Sequence, residues 1–201
     1  MTRAIELIFD FGSPNAYLAY RALQPILART GAQLVLTPCL LGGIFKLTGN
    51  QAPMFAFSGV QGKLDYEMLE MRRFIAREKL SKFFMNPYFP INTLTLMRAM
   101  VAAGPDHGAY VETVLAAMWE TGRDMNDAAV VAQVLTEAGL DAADLLERAR
   151  GDAVKQTLAA NTAAAVDRGV FGIPTMFVGA EMFFGKERLG QVESYLTTGV
   201  A

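Results

Sequence analysis

The chain has 201 residues, 52% of them hydrophobic and 19% charged, with a formal net charge of -2. That size and balance fit one folded domain, or one domain carrying a large insertion, with ample material for a core. The charge gives no ground for a nucleic-acid or anionic-membrane partner, and the single cysteine, Cys39, excludes an internal disulfide and a Cys-x-x-Cys redox pair.

Ala4 to Phe11 alternates Ile5, Leu7, Phe9 and Phe11 against Ala4, Glu6, Ile8 and Asp10, a period of two that predicts a strand. Glu6 and Asp10 in that segment, with no small-residue cleavage site, give no expectation of a signal peptide, and no apolar run reaches membrane-spanning length. A cytoplasmic location is the expectation. Gly12-Ser13-Pro14 then joins strand to helix: Gly12 permits the sharp exit, Ser13 suits the N-cap and Pro14 the first helical position. Ala16, Tyr20, Leu23 and Leu27 recur at helical spacing up to Gly31, with Pro25 expected to kink the helix. Leu34 and Leu36 mark a second strand in Ala32 to Pro38, so the opening unit is a right-handed parallel strand–helix–strand.

Glycines and Pro53 between Leu40 and Pro53 leave room for a short helical piece at Ile44–Leu47 within loop. From Lys63 to about Gly169 the spacing is helical almost throughout. Leu64, Met68, Met71 and Ile75 share one face, as do Leu94, Met97 and Val101, and further helices are predicted around 111–118, 130–135, 141–149 and 152–168. Asn126 or Asp127, Asp141 and Asp152 are the expected caps. The sheet resumes in Gly172 to Val178, with Pro174 at a strand start, pairs with Glu181–Phe184 as a hairpin, and is followed by a last helix from Glu187 to Leu196.

The predicted architecture is α/β: strand–helix–strand and strand–strand–helix halves flanking a large all-helical insertion. In residue terms, 1–41 and 169–201 form the outer domain and 42–168 the inserted one. The insertion should cap one end of the sheet and leave a cleft at the start of the first helix. Three segments converge there. Ser13 either only caps its helix or holds a ligand's thiolate or oxyanion at the positive end of the helix dipole. The Ile173-Pro174 turn is a candidate cis bond that exposes backbone groups to a peptide-like ligand. Phe184-Gly185-Lys186-Glu187 is a second strand-to-helix turn, able to receive a zwitterion or simply to cap.

Asn50 and Lys63 are polar candidates from the cap side, each with an ordinary solvated reading. Cys39 is expected to be buried at a strand end, and His107 to lie at a loop or helix start without a catalytic partner. One cysteine and one histidine do not make a zinc site, and no Gly-x-Ser-x-Gly elbow supports a serine hydrolase. Phe45, Phe55, Phe57, Phe83, Phe84, Tyr88 and Phe89 make the loops around the Lys63 helix unusually aromatic, fit for core packing or for a flat substrate.

These motifs resemble the glutathione-dependent 2-hydroxychromene-2-carboxylate isomerases and the kappa-class glutathione transferases. Both are thioredoxin-like proteins with an inserted helical domain, related to the periplasmic disulfide oxidoreductases. The resemblance runs through Phe9-Asp10-Phe11-Gly12-Ser13-Pro14, Gly49-Asn50, Lys63-Leu64-Asp65-Tyr66, Phe89-Pro90-Ile91-Asn92-Thr93, Gly172-Ile173-Pro174-Thr175 and Phe184-Gly185-Lys186-Glu187-Arg188-Leu189. It implies glutathione as cofactor, with Ser13 hydrogen-bonded to its sulfur and a cis Ile173-Pro174 bond paired with its cysteinyl backbone. Phe184, Gly185, Lys186 and Glu187 would take its γ-glutamyl end, and Asn50 and Lys63 would lie around the tripeptide. Phe45, Tyr88 and Asn92 would line the side facing a small aromatic keto-acid substrate. The implied reaction interconverts 2-hydroxychromene-2-carboxylate and trans-o-hydroxybenzylidenepyruvate; the alternatives are a kappa-class transferase that conjugates electrophiles and a non-catalytic binder of glutathione or peptide. A homodimer is implied by the same resemblance. Two departures stand out: Glu187 replaces the aspartate common in relatives, and Phe183-Phe184 replaces a more tryptophan-rich segment.

Overall fold

The chain opens with β1 (Ala4–Phe9), α1 (Pro14–Thr30) and β2 (Gln33–Pro38). The structure is a computed structural model and describes residues 4–199, so the outermost parts of the outer segments, 1–3 and 200–201, lie outside the described residues. β1 and β2 are parallel, with Ile5 opposite Leu34 and Leu7 opposite Leu36. Ser13 is the N-cap of α1 and Pro14 follows at its first position. At the other end Gly31, at φ 67°, donates its N–H to the Leu27 carbonyl. That left-handed turn is open to glycine without steric cost.

Eight helices follow before the sheet resumes: α2 (Leu41–Thr48), α3 (Pro53–Ala56), α4 (Lys63–Arg77), α5 (Leu94–Ala103), α6 (Gly108–Trp119), α7 (Ala128–Glu137), α8 (Ala142–Arg148) and α9 (Asp152–Asp167). β3 (Thr175–Val178), β4 (Glu181–Phe184) and α10 (Leu189–Thr198) complete the described chain. The four strands are ordered β2-β1-β3-β4, with β3 antiparallel to both β1 and β4. Ile5, Leu7 and Phe9 point to one face of β1 and Ile8 to the other, and all four are fully buried. Both faces of the central strands are therefore covered: α10 packs on β3 and α1, and α5 and α9 pack on β2.

The helical block is locked to the sheet by Trp119, whose indole N–H donates to the Phe11 carbonyl at 2.9 Å while its ring stacks on Phe83. Arg21 on α1 bridges to Glu112 (2.5 Å) and Glu120 (2.8 Å), which also accept from the Tyr20 and Tyr17 hydroxyls.

Several boundaries differ from the sequence reading. α2 is twice the expected length and includes Gly42 and Gly43, because α2 lies close against α9: a Cβ on Gly43 would stand 3.1 Å from the Thr162 methyl. α3 falls in what was expected to be loop. Asp127 and Asp141 cap α7 and α8, but Asp152 sits inside the first turn of α9, paired with Lys155 at 2.9 Å, and Gly151 takes the cap position. β3 starts at Thr175, after a cis Ile173-Pro174 peptide, rather than at Gly172. The last helix starts two residues late because a 3-10 turn, Lys186–Arg188, precedes it.

Candidate functional site

Ser13 occupies the end of β1's exit turn. Its hydroxyl accepts from the Ala16 N–H at 3.2 Å, which makes it the helix cap, and donates to the Ile173 carbonyl at 3.1 Å. The side chain is buried at the positive end of the α1 dipole. The residue that caps the helix is thus also the one that reaches the cis-proline segment.

That segment connects onward. The Pro174 carbonyl accepts from the Gly185 N–H at 2.9 Å, so Ser13, Ile173, Pro174 and Gly185 form one contiguous chain of hydrogen-bonded positions. The N–H of Ile173 has no hydrogen-bond partner among the described residues. Phe184 packs its ring against Phe171, centroids 4.4 Å apart, and lies over Gly172, where a Cβ would meet it at 3.0 Å. Gly185 has φ 90°, and a Cβ there would stand 2.9 Å from a Glu187 carboxylate oxygen, so glycine is required twice over.

In the 3-10 turn after Gly185, Lys186 is 4% exposed, ion-paired with Glu187 and placed over the Phe74 ring at 5.4 Å. Burial works against ionisation of Glu187, but the hydrogen bond and charge of Lys186 outweigh it and hold the carboxyl below its ordinary range. Both residues line a cleft of about 340 Å³ whose other walls are Pro25, Ile26 and Arg29 of α1 and Arg77 at the end of α4.

Three residues that the sequence reading left without a role complete the surroundings of Ser13. Asp10 is buried and accepts three hydrogen bonds: Gly12 N–H at 2.9 Å and Thr93 Oγ1 at 2.6 Å on one oxygen, Leu41 N–H at 2.7 Å on the other. Burial pushes its carboxyl above 3.8, opposed by those three donors. It ties the Ser13 turn to the starts of α2 and α5. Thr93 also sets the space beside the turn, since a Cβ on Gly12 would meet its methyl at 3.3 Å. Asn15, in the first turn of α1, has a buried Oδ1 without a partner. Asp10 and Thr93 stand inside the quoted motifs, but nothing in their local spacing reveals that they touch.

The remaining candidates lie apart from this hydrogen-bonded group. Lys63 is ion-paired with Glu67 and stands over the Phe57 ring at 5.3 Å; Asn50 is exposed, its N–H donating to Thr48 Oγ1 at 3.3 Å. Phe45 is half-buried on α2, and Tyr88 is exposed. The Asn92 carboxamide oxygen accepts from the Leu94 N–H at 3.1 Å, and the side chain lines a separate cavity rather than bonding to the Ser13 group. Among the aromatic residues, Phe83 and Phe89 pack on Trp119 whereas Phe55 and Phe84 are exposed. Cys39 is buried with its thiol pushed up to about 12, chiefly by burial, and His107 packs its ring nitrogen on the Gly104 carbonyl at the start of α6.

Comparison with known proteins places the chain. The DSBA-like thioredoxin domain family matches residues 4–197. A 2-hydroxychromene-2-carboxylate isomerase of Sphingobium xenophagum is 31% identical, the match covering 98% of this chain and 99% of that protein. Glutathione S-transferase kappa 1 of Rattus norvegicus is 27% identical over 93% of this chain and 88% of its own. Among solved structures, a selenomethionine 2-hydroxychromene-2-carboxylate isomerase superposes with a TM-score of 0.83 at 28% identity, over 96% of this chain and 94% of that one. With a four-stranded sheet interrupted by eight helices and a match over nearly its whole length, this chain belongs to the DSBA-like thioredoxin family, together with the 2-hydroxychromene-2-carboxylate isomerases.

Proposed function

We propose that this chain is a glutathione-dependent isomerase that interconverts 2-hydroxychromene-2-carboxylate, or a related bicyclic intermediate of aromatic degradation, with its ring-opened trans keto acid. The observation that carries the reading is the Ser13 hydroxyl at the positive end of α1, 3.1 Å from the Ile173 carbonyl. The residues present suit a thiol-bearing peptide. The unpaired Ile173 N–H and its carbonyl offer a donor and an acceptor side by side to a ligand backbone. A ligand N–H that donates to the Ile173 carbonyl releases the Ser13 proton, which can then be donated to sulfur. That hydrogen bond and the helix dipole both favour the thiolate.

Glutathione supplies reversible thiolate addition to a conjugated double bond, so that rotation becomes free and the cofactor is recovered. On this reading Gly185, Lys186 and Glu187 receive the charged γ-glutamyl end beside Phe184. Asn50 and Lys63 approach the tripeptide from the helical side, and Phe45, Tyr88 and Asn92 serve the aromatic keto acid. Lys63 must then exchange its Glu67 partner for the ligand. The division into an outer domain (1–41 and 169–201) and an inserted one (42–168), a homodimeric state and a cytoplasmic location belong to the same proposal.

The test is to supply 2-hydroxychromene-2-carboxylate with and without glutathione. Conversion that needs glutathione but leaves its concentration unchanged supports the isomerase; absence of conversion refutes it. The similarity to the kappa-class transferase supports a second reading, and stoichiometric consumption of glutathione with an electrophile would decide for that one.

A further inference from the structure

Two concavities of the chain differ in charge. In the cleft beside α1, every cation has an anion at hand: Arg29 with Glu193, Arg77 with Glu78 and Lys186 with Glu187. The second cavity, about 210 Å³, is bounded by α5, the start of α7 and the end of α8, and no carboxylate lines it. Its polar lining is Asn92, Thr95, Arg98, Asn126 and Arg150.

Arg98 is the anomaly. Its Nε is buried and has no hydrogen-bond partner, and no carboxylate pairs with its guanidinium among the described residues. A guanidinium cannot shed its proton to relieve this, and an unsatisfied buried donor is costly. Arg150 pairs only with Glu147, 3.2 Å away on the open surface, where both side chains are more than 70% exposed and the pair is worth little. Acids that flank the lining in sequence are otherwise engaged: Asp127 accepts from the Ala129 N–H, Asp124 from Asn126, and Asp152 pairs with Lys155 at 2.9 Å. Donors without partners remain. The Asn92 oxygen caps Leu94, which leaves its amide N–H₂ unused, and the Thr95 hydroxyl has no bond among the described residues. Thr95 and Arg98 share one face of α5, three residues apart, and Asn92 stands just before the helix.

We propose that this cavity is a binding site for a small oxyanion, a phosphate or carboxylate group, held by the forks of Arg98 and Arg150 with Asn92 and Thr95 as neutral donors. Planar forks match both groups in two-point geometry. The volume lies below the roughly 300–1,000 Å³ of sites for drug-sized ligands, so the occupant is small or inserts only its anionic end. The site contains no member of the Ser13 group; it shares Asn92 with the keto-acid side proposed above, but anion binding there needs no thiol and is read without glutathione.

The experiment titrates the full chain with inorganic phosphate, and in parallel with succinate, against sodium chloride at matched ionic strength, following thermal unfolding and the Arg Nε–H resonances by NMR. The expected result is a saturable rise in Tm with phosphate, succinate or both, which identifies the preferred group, together with a shift of the Arg98 Nε–H signal. Arg98→Met should weaken binding about tenfold or more and Arg150→Ala by a smaller factor, whereas Ser13→Ala should bind the anion unchanged. If Arg98→Met does not fold, the Arg150→Ala affinity and the wild-type Arg98 signal decide. Equal stabilisation by chloride, no saturation with either anion, or unchanged affinity in the arginine variants overturns the proposal.

Discussion

The Ser13 hydroxyl reaches across 160 residues of sequence to donate to the carbonyl of Ile173 at 3.1 Å. One bond thereby joins the start of α1, just after β1, to the cis-proline turn just before β3. Ser13→Ala removes both this bond and the cap on Ala16. The expected loss of stability is about 0.5–2 kcal/mol, read from denaturant midpoints. On the glutathione-dependent function proposed above, the larger effect is expected on the bound thiol, which should titrate at higher pH than in the wild type. Thiolate absorbance in the ultraviolet, followed against pH, checks it, and an unchanged titration would refute the proposed role of Ser13.

Asp10 offers three acceptor contacts to three segments, so Asp10→Ala leaves the Gly12 and Leu41 N–H groups and the Thr93 hydroxyl without a partner. A destabilisation of about 1–3 kcal/mol is expected. The pH dependence has a definite sign. Burial raises this carboxyl above 3.8 in the folded chain, so its contribution to stability is complete below that value and is lost as pH rises through the folded pKa. Unfolding curves collected across the acid range should show the decline in wild type and not in Asp10→Ala.

Glu187 shows the opposite sign. Its folded pKa is depressed by Lys186, so its contribution is present above the ordinary carboxyl range and is lost as pH falls through the lowered value. Lys186→Met leaves burial as the main influence, and the Glu187 carboxyl should then titrate above its wild-type position in a carbon-detected NMR titration.

Cys39 should be chemically silent. Its thiol is pushed up to about 12 and is buried, so iodoacetamide at mildly alkaline pH should leave folded protein unmodified and label it fully once denaturant is added. Rapid labelling of the native chain would contradict the burial described for it.

Local sequence carried much of this. Ser13-Pro14 at a strand end and Gly31 after an apolar stripe fixed both ends of α1, because capping and helix termination depend on residues within a few positions. The alternation in β1 and the hairpin of β3 and β4 were legible for the same reason. The full extent of α2 was not, since its glycines read as loop where close packing on α9 overrides propensity, and α3, a four-residue turn opened by Pro53, is too short to carry a periodic pattern.

The sequence by itself determined the order of the four strands and the longer helices, the cap that places Ser13 at a helix start, and the motifs that relate the chain to its family. Only the tertiary structure decided that Asp10 meets Thr93 and Leu41, that the Lys186 ammonium is buried against Glu187, and that the buried Arg98 Nε has no hydrogen-bond partner among the described residues. The physical reason is range. Periodicity and caps arise from neighbours along the chain, whereas charge pairing and burial depend on which distant segments the completed packing brings within a few ångströms.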